Sequence, residues 1–263
     1  MNKFKFIPAC ILLMLANVHA QAQNDFCGIK NSTTQHGEQI GFIVYYNVAG
    51  MYVNAGSAAF STSIDKLNGK VVYHITGTGR SNSKYDWIFR VRDRYETYID
   101  TSSMLPLKFY REVEEGNTRK KETVSFNQDK QIATTDSAQY KVPACVQDVL
   151  SSVYYARNID FNKYKKGDKI PFQMFLENEV HPLYVRYMGK EQVQTRYGKF
   201  NAIKFKPLLV EGTIFSGGEN MTVWVSDDAN RLPVRIESRI LIGSIKVDMM
   251  GYKNLRYPLE VLK

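Results

Sequence analysis

The chain has 263 residues with 44% hydrophobic content, enough for one large domain or two small ones, and excludes a disordered or low-complexity protein. Its formal charge is +9. The basic residues are spread along the chain rather than gathered in one patch or tail, which argues against a nucleic-acid binder.

Residues 1–22 read as a secretory signal peptide. Lys3 and Lys5 precede an apolar run from Phe6 to Ala16, and the small residues Ala20 and Ala22 follow at a cleavage position. The run is too short to span a membrane. Neither Cys10 nor Cys27 has the preceding residues of a lipoprotein signal. Cleavage near residues 20–22 would remove two lysines and no acids, so +9 falls to +7. The expectation is an exported protein of the periplasm or cell envelope with no transmembrane segment. Two cysteines then remain, and in an oxidising compartment they predict a Cys27–Cys145 disulfide.

Residues 23–35 read as a trailing segment, and strand follows strand from His36. Gly41 to Asn47 and Met51 to Phe60 predict a hairpin about Gly50. Gly69 to Gly79 alternates with a period of two. Lys84 to Asp100 reads as one strand, with Tyr85, Trp87, Phe89 and Val91 on a packed face. Arg90, Arg92 and Arg94 would then form a ladder on the other face. Such a ladder is either a solvated face neutralised by Asp86, Asp93 or Glu96, or the lining of a concave anion-binding surface. In the second case the ligand's apolar part would lie near Tyr154 or Tyr155.

An internal repeat follows. Asp100 to Lys108 matches Asp227 to Arg235 at a constant offset that aligns Leu105-Pro106 with Leu232-Pro233 and Gly116 with Gly243. It predicts two similar β-lobes, about 36–128 and 168–253, with Asp100 and Asp227 each capping backbone N–H groups. Between the lobes a helical linker, about 141–158, carries an apolar stripe from Val146 to Tyr154 and a helix over 144–157. On it, Asp148 and Arg157 are placed to pair with groups in either lobe. His181-Pro182 marks a break. Met221 to Lys253 reads as three strands with turns at Asp227–Asn230 and Gly243-Ser244, and residues 254–263 as a loose tail. The fold class is therefore all-β with one main helix: two antiparallel lobes forming a large curved sheet or open barrel.

The segments Trp224 to Arg235 and Gln147 to Arg157, with Gly37-Glu38, Tyr45, Gly56 and Glu96 to Pro106, resemble the bacterial exported proteins of domain-of-unknown-function family 3108. That resemblance implies an envelope location, a mainly β domain and no established activity. It also implies a likeness, at fold level only, to the open half-barrels of periplasmic lipoprotein carriers. Trp224, Asp227, Asp228, Arg231 and Pro233 would then be structural, as would Asp100 and Pro106.

Catalytic motifs are missing from the sequence. There is no HExxH, GxSxG or phosphate-binding loop, and His36, His74 and His181 lack metal-pair spacing. No metal, no cofactor and no catalytic residue is expected. The leading expectation is non-catalytic binding of an amphiphilic or anionic envelope ligand such as a lipid, a lipoprotein or an acidic glycan. A structural or assembly protein comes second and a hydrolase with a scattered site third.

Overall fold

A computed structural model describes residues 27–48, 50–212, 214–240 and 243–262; the predicted signal peptide and its cleavage point lie outside the described residues. The first eight strands are β1 (Gln39–Val48), β2 (Met51–Leu67), β3 (Lys70–Ser81), β4 (Val91–Asp100), β5 (Pro106–Glu115), β6 (Thr118–Asn127), β7 (Ile132–Thr135) and β8 (Gln139–Lys141). Helix α1 (Val149–Ala156) follows. Then come β9 (Lys169–Leu176), β10 (Glu179–Gln194), β11 (Lys199–Pro207), β12 (Leu209–Glu211), β13 (Ser216–Gly218), β14 (Met221–Ser226), β15 (Pro233–Arg239) and β16 (Ser244–Lys253).

Fourteen strands form one antiparallel sheet in the order β8-β7-β6-β5-β4-β3-β2-β1-β16-β15-β14-β11-β10-β9, and β12 and β13 pair separately. The two halves of the sheet meet where β1 pairs with β16. Both arms bury their inner face against α1. Ile75, Ile99, Ile170, Phe172, Ile203 and Val223 share one apolar cluster with Leu150, Tyr154 and Tyr155. Gly77 permits this approach, because a Cβ there would stand 3.1 Å from the Phe60 ring and 3.4 Å from Leu150.

The helix begins later than its stripe suggests. Cys145 has a left-handed φ of 59°, and Gln147 is extended, exchanging backbone hydrogen bonds with Gln173 and Phe175 of β9. Asp148 then caps the helix, accepting from the N–H groups of Leu150 and Ser151, while its own N–H donates to Ser151 Oγ. Val146 is buried, but it continues the in-phase pattern from outside the helix. Arg157 at the other end donates to both oxygens of Glu38 at 2.7 and 2.8 Å and to the Asn230 carbonyl. This buried pair ties the helix to β1 on one side and to the β14–β15 turn on the other.

The strand read over Lys84 to Asp100 is interrupted. A short 3₁₀ turn over Ser83–Tyr85 and two further backbone bonds to the Tyr85 carbonyl carry residues 82–90 away from the sheet, and β4 starts at Val91. Alternation of aromatic and polar residues imitated a strand here. Tyr85, Trp87 and Phe89 are exposed rather than packed.

His181-Pro182 makes no break either. β10 runs through it, and its pairing with β11 ends at Val185, so Pro182 lies where β10 has β9 alone as neighbour. Both terminal segments are docked. Cys27 is joined to Cys145, Asn31 donates to the Ser102 carbonyl, and Thr33 and Thr34 are buried. At the other end Asn230 holds the backbone of Tyr257 and Pro258, and Leu262 donates to Lys199.

Candidate functional site

Alternation along β4 assigns its two faces. Tyr95 and Ile99 pack into the cores and Thr97 donates to Asp148 at 2.6 Å, so they face α1. Arg92, Arg94, Glu96 and Tyr98 therefore face the other way. The same parity puts His74 beside Glu96 at 2.7 Å and stacked on Tyr98, on the face opposite Ile75.

Across this outer face runs a groove of about 940 Å³. Two register rows line it. One is Gly41–Ala59–Thr78–Arg94–Glu112–Lys121, each residue the cross-strand partner of the next from β1 to β6. The other is Ser57–Arg80–Arg92–Glu114–Arg119 on β2 to β6. Between the rows, Phe42 and Val113 turn inward and are buried, so the groove lies over the charged face. At strand spacing, β1 to β6 is a span of about 24 Å. The β1–β3 part has a floor of small residues, Gly41, Ser57, Ala59 and Thr78, with Met250 at its margin; the β4–β6 part is charged.

The cations here are largely exposed, and the acids that hold them are partly buried except Glu112. Arg92 reaches Asp86 at 2.6 Å, Arg94 reaches Glu96 at 2.6 Å, Arg119 reaches Glu114 at 2.9 Å and Lys121 reaches Glu112 at 3.8 Å. Hydrogen bonds from Ser81 and Arg92 hold the Asp86 carboxyl below its ordinary range. Burial pushes Glu96 up, but Arg94 and His74 outweigh it and keep that carboxyl low. Arg80 differs. Among the described residues no carboxylate pairs with it, and its Nε donates to Ser57 Oγ at 3.3 Å. Exposed ion pairs of this kind are weak and can exchange a side-chain acid for a ligand's anion.

The predicted arginine ladder is thus only partly assembled. Arg92 and Arg94 share the groove, while Arg90 precedes β4 and meets Glu114 at 3.5 Å outside the lining. Asp86 and Glu96 act as the neutralising acids. Asp93 does not: it faces inward, where burial and the nearby Glu115 push its carboxyl up to about 7. The face is the outside of the sheet, not a concave interior, because α1 fills the inside. Tyr154 and Tyr155 are 1% and 0% exposed on that inner side and are no part of this site. Arg80, Arg119 and Lys121, the other cations of the two rows, were missed. The small runs Gly56-Ser-Ala-Ala59 and Gly77-Thr-Gly79 marked the floor, but only the register brings them together.

The turn residues lie elsewhere. Asp100 accepts from the Ser102 and Ser103 N–H groups, and Met104 at φ 59° precedes Leu105-Pro106. In the second turn Asp228, not Asp227, accepts from Asn230 and Arg231, and Arg231 at φ 48° precedes Leu232-Pro233. Asp227 pairs with Lys190 at 2.9 Å. The Asp100 N–H donates to Leu105 O, and the Ser226 N–H to Leu232 O. The second turn is therefore one residue longer, and the capping carboxylate has moved with it. Trp224 donates to Glu191 at 2.7 Å.

Among the described residues no group of three or more His, Cys, Asp or Glu is arranged to hold a metal, and no helix is long and apolar enough to cross a membrane. No curated protein matches the sequence. In fold the chain is similar to the beta-barrel-like protein of domain of unknown function DUF1849 from Brucella abortus, with a TM-score of 0.52 and 7% identity over 84% of this chain and 98% of that one. A protein with a YmcC-like fold from Bacteroides fragilis matches at a TM-score of 0.38 and 11% identity, again over 84% and 98%. The first of these likenesses agrees with the large antiparallel sheet. The match of residues 42–250 to the family described as protein of unknown function (DUF3108) covers most of the chain, which therefore belongs to that family.

Proposed function

We propose that the protein is a non-catalytic binder of an elongated anionic or amphiphilic ligand of the cell envelope, held in the outer groove of β1–β6. The observation that carries this reading is the pairing, in one trough, of a small-residue floor with a row of guanidinium and ammonium groups. An anionic head would replace Glu96 on Arg94 and take up Arg80, both planar donors suited to phosphate or carboxylate. The remainder of the ligand would lie over Ala59, Thr78 and Gly41 toward Met250. The signal-peptide pattern at the start of the sequence supports an envelope ligand.

Calorimetric titration tests it with two probes that separate the sources of such an anion: lysophosphatidylglycerol below its micelle concentration, and polygalacturonate. The wild-type chain is expected to bind one of them, more weakly at high salt. Arg80→Gln with Arg94→Gln should weaken that binding at least tenfold, while Arg90→Gln leaves it unchanged. No binding of either probe, or equal binding by the double variant, contradicts the proposal.

A further inference from the structure

Antiparallel pairing returns seven connections to one end of the sheet, and four of them are neighbours in its middle: β5–β6, β3–β4, β1–β2 and β15–β16. Their contacts join them. Asn82 N–H donates to Ala55 O, Gly116 N–H donates to Arg90 O, and a Cβ on Gly116 would clash with the Phe89 ring at 2.7 Å. Among the described residues, the large hydrophobics exposed by more than 60% are Trp87 (83%), Met51 (67%) and Ile88 (63%), and all three are at this end. Tyr52 and Phe89 are exposed beside them.

This exposure is built in. The β3–β4 excursion is closed by the bonds of Tyr85 to Asn82 and of Ile88 and Phe89 to Tyr85. Its base is fixed by Asp86 to Ser81 at 2.5 Å and to Arg92 at 2.6 Å. A fixed excursion that carries Trp-Ile-Phe outward has given up burial of those side chains within its own fold. Around the tips stand Lys84, Arg239 and Lys246, with no carboxylate paired to them among the described residues. Lys246 lies over the Tyr52 ring at 4.1 Å. Of the acids at this end, Asp86 and Glu114 are occupied by Arg92, Arg90 and Arg119, while Glu115 lies against Asp93.

We infer that this end is a membrane-docking surface that places Trp87, Ile88 and Met51 into the headgroup region of an anionic bilayer. Indole and aliphatic tips with a cationic collar are the side-chain chemistry of that interface, where lysine and arginine reach back to lipid phosphates. The apolar side chains stand on two turns, Trp87, Ile88 and Phe89 on the β3–β4 excursion and Met51 and Tyr52 at the start of β2. A fluid bilayer accommodates both, whereas a protein partner would need a matching pocket for each.

Co-sedimentation with vesicles tests the inference. The protein should pellet with vesicles of mixed phosphatidylglycerol and phosphatidylcholine and much less with phosphatidylcholine alone. The chain has two tryptophans, and the other, Trp224, is 8% exposed, so a change of emission on binding reports Trp87. Its emission should move to the blue and iodide quenching should fall on binding. Met51→Ser, Trp87→Ser and Ile88→Ser together should reduce partitioning at least tenfold without changing the melting temperature. The same triple variant should still bind the soluble probe of the groove as the wild-type chain does, which separates this surface from the groove. Failure to pellet, continued quenching in the bound state, or equal partitioning by the triple variant overturns it. A vesicle-free dimer abolished by the triple variant would assign the tips to a second copy of the chain instead and also overturn it.

Discussion

Asp227 and Asp228 are adjacent, identical in chemistry and different in consequence. Asp228 accepts backbone N–H bonds from Asn230, Arg231 and Glu260 and the Ser226 hydroxyl, fixing the turn whose Asn230 carbonyl receives Arg157. Asp227 meets one exposed lysine. Asp228→Ala is therefore expected to cost about 1 to 2 kcal/mol, as a lost cap does, and Asp227→Ala about 0 to 1 kcal/mol. Denaturant midpoints of the two variants check this ordering. The sequence made the Leu-Pro turns legible through Leu232, Pro233 and the turn-forming Asp-Asp-Ala-Asn run. It could not show which aspartate caps, because the one-residue difference in turn length appears only when the Ser226–Leu232 bond is set beside that of Asp100–Leu105.

Helix α1 has eight residues, too few to be stable by itself, so its place depends on what its ends grip. At its C-terminal end Arg157 and Glu38 are 2% and 0% exposed, and the Arg157 guanidinium also lies 5.1 Å from the Tyr154 ring. Arg157→Met would strand a buried carboxylate and is expected to destabilise by about 3 to 5 kcal/mol. Adding Glu38→Leu removes the stranded charge and should recover much of that loss. Urea unfolding of the single and double variants measures both steps; a double variant as unstable as the single one contradicts the pairing. The apolar stripe announced the helix but not its start, since Val146 keeps the helical phase while its backbone serves β9. In the same way Tyr85, Trp87 and Phe89 keep the strand phase while their backbone leaves the sheet. Periodicity reports spacing, and these are two places where backbone hydrogen bonding overrides it.

Across the whole molecule, two carboxyls, Asp148 fully buried and Asp93 partly so, oppose the usual pH trend. Burial raises Asp148 to about 6, despite its hydrogen bonds to Ser151, Thr97 and Leu150, and burial with Glu115 raises Asp93 to about 7. Both bind a proton more tightly folded than unfolded, so each adds stability as pH falls from about 7 toward the unfolded value near 4. Carboxyls held low, such as Asp100 and Glu177, lose their contribution only as pH falls below about 4.5. The melting temperature should therefore be higher at pH 5 than at pH 8, and Asp93→Asn should narrow the difference. A steady fall from pH 8 to pH 5 contradicts this. At this scale the curved sheet was legible from strand after strand of alternating residues. The groove was not, because its two rows draw on five and six strands whose register no local pattern reveals.

The proposed ligand stands or falls with an anion held on the outer face by Arg80 and Arg94. The most direct measurement is nuclear magnetic resonance of the arginine Nε–Hε signals during titration with lysophosphatidylglycerol and, separately, polygalacturonate. With the probe that binds, the signals of Arg80 and Arg94 are expected to move together and saturate at one concentration, while those of Arg157 and Arg111, buried on the helix side, stay in place. Shifts at Arg157 or Arg111 without shifts at Arg80 and Arg94 would put the ligand inside the sheet and contradict the account.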